Sequence, residues 1–479
     1  MSRYDLVVRG GQIVMPRVGV FRADIGVKSG RIAAIAAEIP SPDCERAIDA
    51  TGLHVFPGVV DSHFHVGIYR PFSEDAASES ASAASGGVTT IMSYFRTGQN
   101  YLNKTGPYRE IFPELMSRSA GAFLTDHAFH IAIMSREQLA EIEWLVRECG
   151  VTTFKYYMFY KSLDLSGSKQ SHGYLMLRES LDFGFLYLFM KEVARMNRAL
   201  AGRGEVRLSI HCENPEIITA TMEETKANPT GNAMRDYSQA RPGWQEELAI
   251  KEVGVIAKET ACPINFLHLS SRQAVEAARQ VKSEQPELNH LLEGTLHHLS
   301  MSYENDYGML GKVNPPVRGR ADVEHLWSAV LAGDIQTVVS DHACHPKALR
   351  QGELWSIMPG FGGTALMFPV LVGEGHFRRG LALTRIAELS AFNPAVAHGL
   401  YPRKGSLMVG ADADLAVVDL NWEKEVTAAA LHSAQDYTPF EGLRLKGWPR
   451  FTLLRGQLTF AEGQVVGKPG MGDYLHRPI

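Results

Sequence analysis

Val55-Phe56-Pro57-Gly58-Val59-Val60-Asp61-Ser62-His63-Phe64-His65 runs from a short apolar strand straight into two histidines two residues apart. On extended chain, residues at i and i+2 project to the same side, so His63 and His65 can grip one metal ion. Outward from this stretch, short apolar runs recur at spacings that leave room for helices. The predicted strands are Val55 to Val60, Val88 to Ser93, Phe129 to Met134 and Thr152 to Met158, then Val206 to His211, Ile264 to Leu269, Glu293 to Leu299 and Ile335 to Ser340. Predicted helices between them include Glu137 to Cys149, Leu186 to Leu200, Trp244 to Lys258 and Arg272 to Lys282. Strand and helix in alternation imply an α/β fold with a parallel sheet, and eight such strands fit a (β/α)8 TIM barrel over residues 56–403.

The two ends of the chain have another character. Residues 1–55 hold strand-like pieces (Tyr4 to Arg9, Gln12 to Met15, Ala23 to Lys28, Arg31 to Ala36) separated by Gly10-Gly11 and Ser29-Gly30. Residues 404–479 repeat that style in Ala413 to Leu420 and Phe451 to Leu458, with a turn at Glu462-Gly463. Two β-rich ends around an α/β middle predict one small β-sandwich domain assembled from both termini.

The remaining candidate ligands fall at the ends of predicted barrel strands. Lys155 lies in the fourth strand, His211 closes the fifth, His268 closes the sixth, and Asp341 follows the eighth. Barrels of this kind carry their active sites at the C-terminal strand ends, so five strands deliver imidazoles, a lysine and a carboxylate to one mouth. An ammonium repels cations. Lys155 fits such a site once carbon dioxide converts it to a carbamate, a carboxylate-like bridge between two metals.

Composition removes other classes of function. Hydrophobic residues make up 45% and charged residues 21% of the chain, with a net charge of −5. A basic face for nucleic acid or an anionic membrane is not expected. No apolar run approaches the length of a membrane span, and the start lacks a signal-peptide segment. The five cysteines are scattered and without CxxC spacing, which reads as reduced thiols of a cytoplasmic protein.

These motifs resemble the amidohydrolase superfamily, in its hydantoinase, dihydropyrimidinase, allantoinase and dihydroorotase branch. Pro57 to His65 is similar to the branch's PGxxDxHxH, and Phe154-Lys155 through Tyr160-Lys161 to its carbamylated-lysine segment. Ala240-Arg241-Pro242 with Glu246-Glu247 resembles an SRPxxxE stretch, with Ala240 in the serine position. Lys404-Gly405-Ser406-Leu407 to Asp414-Leu415 and Asp436-Tyr437-Thr438-Pro439-Phe440-Glu441-Gly442 match C-terminal signatures of the branch. The resemblance implies a binuclear site in which His63, His65 and Asp341 bind one ion and His211 and His268 the other. Carbamylated Lys155 and a hydroxide would bridge them. Zinc suits such nitrogen and oxygen ligands, and manganese, cobalt or iron also fit. The implied reaction is opening of the ring C–N bond of a cyclic amide, with Asp341 shuttling the proton and Tyr160 donating to the oxyanion. Tyr160 and Asn314 are the expected substrate contacts, the substrate a small molecule, and the assembly a homo-tetramer or dimer.

The sequence also departs from these relatives. Gly67 stands where dihydroorotases place an arginine that holds the substrate carboxylate. Val313-Asn314-Pro315-Pro316-Val317-Arg318 resembles the dihydroorotase or allantoinase form and not the hydantoinase one, and Trp355 to Thr364 lacks the hydantoinase asparagine. The amide-recognition frame is therefore altered. Tyr69 and Arg70 face either substrate or solvent. Tyr69, Phe72, Tyr94, Phe95, Tyr157 and Phe159 line an apolar pocket or belong in part to the core, which points to a bulky cyclic imide, lactam or hydantoin. Two other functions compete: a non-catalytic dihydropyrimidinase-related scaffold, against which all six ligand positions argue, and a lactonase or other amide hydrolase of the same superfamily.

Overall fold

The computed structural model describes residues 3–161 and 181–477, apart from the side chains of Tyr160 and Lys161. Its N-terminal strands are β1 (Tyr4–Met15), β2 (Gly19–Lys28), β3 (Arg31–Ala36), β4 (Cys44–Asp49) and β5 (His54–Pro57). The barrel follows: β6 (Val59–His65), β7 (Val88–Phe95), β8 (Asp126–Ala132), β9 (Thr153–Tyr157), β10 (Arg207–His211), β11 (Ile264–Phe266), β12 (Leu291–Thr295), β13 (Thr337–Val339) and β14 (His342–Ala343). All of its pairings are parallel.

Closure of the barrel comes from one broken strand. β13 pairs with β12, whereas β14, three residues further on, pairs with β6 through His342↔Phe64 and Ala343↔His65. Between them Asp341 takes a left-handed conformation (φ 51°) that non-glycine residues rarely adopt. Nine hydrogen-bonded pieces thus make eight staves. Aliphatic and aromatic side chains such as Val59, Ile91, Phe129, Phe154 and Ile210 are fully buried between the staves and the surrounding helices. Among those helices, Phe183–Leu200, Gly243–Thr260 and Arg272–Glu284 extend the predicted ones by a turn or less.

Two predicted strands need correction. Val55 to Val60 is not one strand: His54–Pro57 belongs to the terminal sheet and Val59–His65 to the barrel, with Gly58 between them. A Cβ at Gly58 would meet Thr89 Oγ1 at 2.2 Å, so this crossing requires glycine. Glu293 to Leu299 is strand only as far as Thr295. The Thr295 hydroxyl then accepts from His298 N and caps a short helix, Leu296–Ser300.

β15 (Leu415–Glu425), β16 (Arg444–Leu454), β17 (Gln457–Ala461) and β18 (Gln464–Val465) return to the first strands. The order β18-β17-β16-β15-β5-β1-β2-β3, with β4 also on β1, makes one continuous sheet from both ends of the chain. Its core contains Leu6, Val8, Ile13 and Ile25 from the first end and Leu407, Leu415, Val417 and Leu453 from the second. The architecture is a TIM barrel with a small β-sandwich. An ionic knot joins the two: Lys404 Nζ lies 2.5 Å from Asp126 of β8, 2.6 Å from Asp414 and 3.0 Å from Asp412, all buried. Among the described residues no helix is long and apolar enough to cross a membrane.

Candidate active site

Alternation along β6 turns His63 and His65 to the same side. Their Nε2 atoms lie 3.1 and 3.2 Å from Asp341 Oδ1. Lys155, in the middle of β9, holds its Nζ 4.4 Å from the Tyr94 ring centroid and 4.7 Å from that of Tyr157. His211 ends β10. His268 lies two residues past β11 with φ 35°, and its ring centroid is 4.3 Å from His211 and 5.4 Å from His63. Strain at His268 and Asp341 is concentrated where side chains must point inward. His63, His65, Lys155, His211, His268 and Asp341, together with Asn314, line one cavity of about 670 Å³ at the C-terminal rim. Met158–Lys161 forms a tight turn after β9, but the Tyr160 side chain lies outside the described residues.

Burial shapes the electrostatics. It pushes His65 and His211 down to about 4, and His268 well below its usual value. All three imidazoles are thus neutral at physiological pH, the form with a lone pair to donate. Both ring nitrogens of His268 are buried with no hydrogen-bond partner among the described residues. Orphaned polar atoms of this kind are uncommon in folded proteins, and a metal ion would satisfy one of them. Burial also lowers Lys155, against the pull of Asp341, Glu293 and Cys212, to about 7. A fraction of it is therefore free amine, the form that adds carbon dioxide. Burial raises Asp341, but His63 and His65 outweigh it and keep the carboxylate ionised. The donor atoms of His63, His65 and Asp341 lie within 4.8 Å of one another. The side chains present fit divalent metal.

The amidohydrolase family model matches residues 189–459. The allantoinase of Solibacter usitatus is 33% identical over 471 residues, covering 97% of this chain and 96% of that protein. The chain belongs to the amidohydrolase family. The L-hydantoinase of Paenarthrobacter aurescens is 30% identical over 485 residues, covering 99% of this chain and 98% of that one. The solved structure of L-hydantoinase (dihydropyrimidinase) from Arthrobacter aurescens matches with a TM-score of 0.86 at 29% identity, covering 98% and 99% of the two chains.

In this amidohydrolase a layer of buried carboxylates fixes the inward-facing side chains, and sequence reading passed over it. Glu293 of β12 accepts from His63 Nδ1 at 2.7 Å and from the backbone N–H of His268 at 3.1 Å, tying two strands together. Glu213 lies 2.6 Å from His211 Nε2 and 2.6 Å from Arg241 Nη1. Arg241, with His211, outweighs the burial of Glu213 and holds it down to about 2. Glu246 accepts from the backbone N–H and hydroxyl of Ser270, just past His268, and pairs with Arg318. The Arg241-Pro242 to Glu246 stretch therefore braces two of the candidate ligands. Asp61 accepts from Ser340 N, Ser340 Oγ and Thr364 Oγ1, anchoring the kink that presents Asp341. Glu213 carried a readable signal, an acid two residues after His211 on extended chain. Glu293 carried one also, a charge inside an apolar strand.

Other expectations resolve individually. Arg70 binds Asp75 (3.2 Å) and Ser78 (2.7 Å) on the helix Phe72–Ser85 and is not part of the cavity wall. Tyr69 lines the cavity and donates to Pro359 O at 2.9 Å. Tyr157 and Phe159 also line it, while Phe72 and Phe95 pack in the core. Tyr94 sits behind the histidines, its ring stacked on His130 at 4.5 Å. Tyr237 and Lys312, which were not foreseen, complete the wall together with the 353–360 segment, most of which falls in the Trp355 to Thr364 stretch read as part of the amide-recognition frame. Tyr237 donates its hydroxyl to Asn314 Oδ1.

Proposed function

We propose that this protein is a binuclear metal-dependent hydrolase that opens the ring C–N bond of a cyclic amide. The observation that carries this reading is the convergence of His63, His65, Lys155, His211, His268 and Asp341 on one cavity, with both ring nitrogens of His268 unpartnered among the described residues. His63, His65 and Asp341 would hold one divalent ion, most suitably zinc, and His211 and His268 the second. Lys155, as its carbamate, would span the two. When bound, the ions supply Lewis acidity that polarises the amide carbonyl and brings the ionisation of water toward neutral pH.

The chain's own residues do the rest. Ionised Asp341 takes the proton of the attacking water and returns it to the departing ring nitrogen. Tyr160, next to the lysine strand in sequence, donates to the developing oxyanion, and Asn314 meets the amide frame. Glu293 and Glu213 keep the imidazoles of His63 and His211 in one tautomer each, with the lone pair turned inward. The names of the similar proteins, allantoinase and L-hydantoinase, support a cyclic amide as the substrate class. By the same resemblance the protein is a homo-tetramer or dimer acting on a small molecule; the cysteine pattern and the net charge of −5 support a cytoplasmic protein without a nucleic-acid or membrane partner.

The test joins metal analysis to a substrate panel. Two ions per chain and ring opening of a hydantoin, a dihydrouracil, allantoin or a lactam are expected. Fully metallated protein that opens lactones and leaves every cyclic amide intact would overturn the reading. A second expectation concerns Glu293. Glu293→Ala removes the acceptor of the His63 Nδ1–H bond, and metal affinity should fall about 10- to 100-fold in chelator-competition titrations. Unchanged affinity would show that His63 needs no such orientation.

A further inference from the structure

One buried cation on the cavity wall has no use in this chemistry. Lys312 is 4% exposed and lines the cavity. Its Nζ donates to Leu354 O at 2.8 Å and Ile357 O at 2.6 Å, and lies 4.9 Å from the Tyr237 ring centroid. An ammonium carries three protons, and two carbonyls take two of them. Among the described residues Lys312 has no ion pair. Its charged neighbours are cations: Arg241, whose guanidinium also lies over the Tyr237 ring at 5.5 Å, and Arg350, which donates to the Lys312 carbonyl. Burial and these two guanidiniums push Lys312 down to about 7.

The cavity has an uneven charge. Among the described residues its lining carboxylates are Asp341, engaged with the histidines, and Glu353 at the exposed rim. Its lining cations besides Lys155 are Arg241, already paired with Glu213, Lys226 beside Trp355, and Lys312. A buried charge without a counterion is costly, and the described residues supply none to Lys312. A purely structural anchor for the 353–360 segment could donate to two carbonyls without carrying charge. An anion arriving from the cavity would satisfy both the third proton and the charge.

We propose that Lys312 is a specificity residue of this cavity and that the preferred substrate is a cyclic amide bearing a carboxylate, which Lys312 binds. The proposal rests on the cyclic-amidase reading, to which it adds the charge of the substrate. It also relocates anion recognition: the position after the histidine pair, Gly67, has no side chain to offer, and the Asn314 side of the cavity takes over.

The test compares hydantoin-5-acetic acid with its neutral carboxamide on the metal-loaded protein. Kinetics and equilibrium binding by calorimetry are both measured, for wild type, Lys312→Met and Lys312→Arg. Wild type should favour the acid over the amide by at least about tenfold in kcat/KM, as charged hydrogen bonds do. Lys312→Met should collapse that ratio to about one, mainly through KM, and Lys312→Arg should restore part of it. A wild type without preference for the acid, or equal losses on both compounds in Lys312→Met, would overturn the proposal and leave Lys312 as a loop anchor. Binding of the acid that depends on Lys312 without turnover of either compound would uphold the anion site and reject the cyclic-amidase reading. No binding and no turnover would reject both.

Discussion

Lys155→Ala is expected to lower kcat/KM by about 10³-fold or more, with fewer than two ions retained per chain. The side chain is buried between two aromatic faces and shares the cavity wall with both histidine pairs of the proposed centre. Losing it removes several kcal/mol of transition-state stabilisation, at about 1.36 kcal/mol per decade of rate. Stability should behave in the opposite way. An amine buried without a carboxylate partner contributes little to holding the metal-free fold, so the metal-free variant should unfold at a denaturant concentration close to that of wild type. Lys155→Met, which fills the space, isolates the chemical role from the cavity left by alanine. An alanine variant that keeps two ions per chain and turns over within tenfold of wild type would sink the bridging role.

Lys404→Met tests the junction of barrel and sandwich. Asp126, Asp412 and Asp414 surround the Lys404 ammonium, and Arg455 also binds Asp126. Removing the lysine leaves buried carboxylates short of a cation, a defect of roughly 3–5 kcal/mol. The sign of the pH dependence follows. In wild type Lys404 and Arg455 outweigh burial and hold Asp126 below its usual value; without the lysine it titrates higher, so the folded variant binds protons that folded wild type releases. The deficit against wild type is therefore greatest at neutral pH and shrinks as pH falls below about 5. Urea unfolding midpoints of both proteins at pH 7.5 and pH 4 read this directly. A deficit that grows on acidification would contradict the account.

The reach of the sequence is clearest at particular residues. His63 and His65 were legible because a two-residue period on extended chain needs no tertiary knowledge. Lys155, His211, His268 and Asp341 were legible because each adjoins an apolar run, and a barrel gathers strand ends on one rim. The boundary inside Val55–Val60 was not legible. Hydrophobicity is continuous across Gly58, and only the approach of Thr89 shows that the chain changes sheets there. The left-handed turns at His268 and Asp341 carry no glycine or asparagine to announce them. Lys312 was hidden for another reason. Its meaning lies in what does not surround it, and missing counter-charge is a property of three dimensions.

The sheet that joins the two ends of the chain has a consequence for synthesis. β5 hydrogen-bonds to β1 on one side and to β15 on the other, and some 350 residues separate β5 from β15. On a ribosome adding about 5–20 residues per second, the first five strands would emerge roughly twenty to seventy seconds before the strand that covers them. For that interval His54–Pro57 presents an open edge, the kind of surface on which nascent chains pair with one another. The barrel is then an insertion that must fold while its host is half built, and strands made after the barrel complete a sheet begun before it.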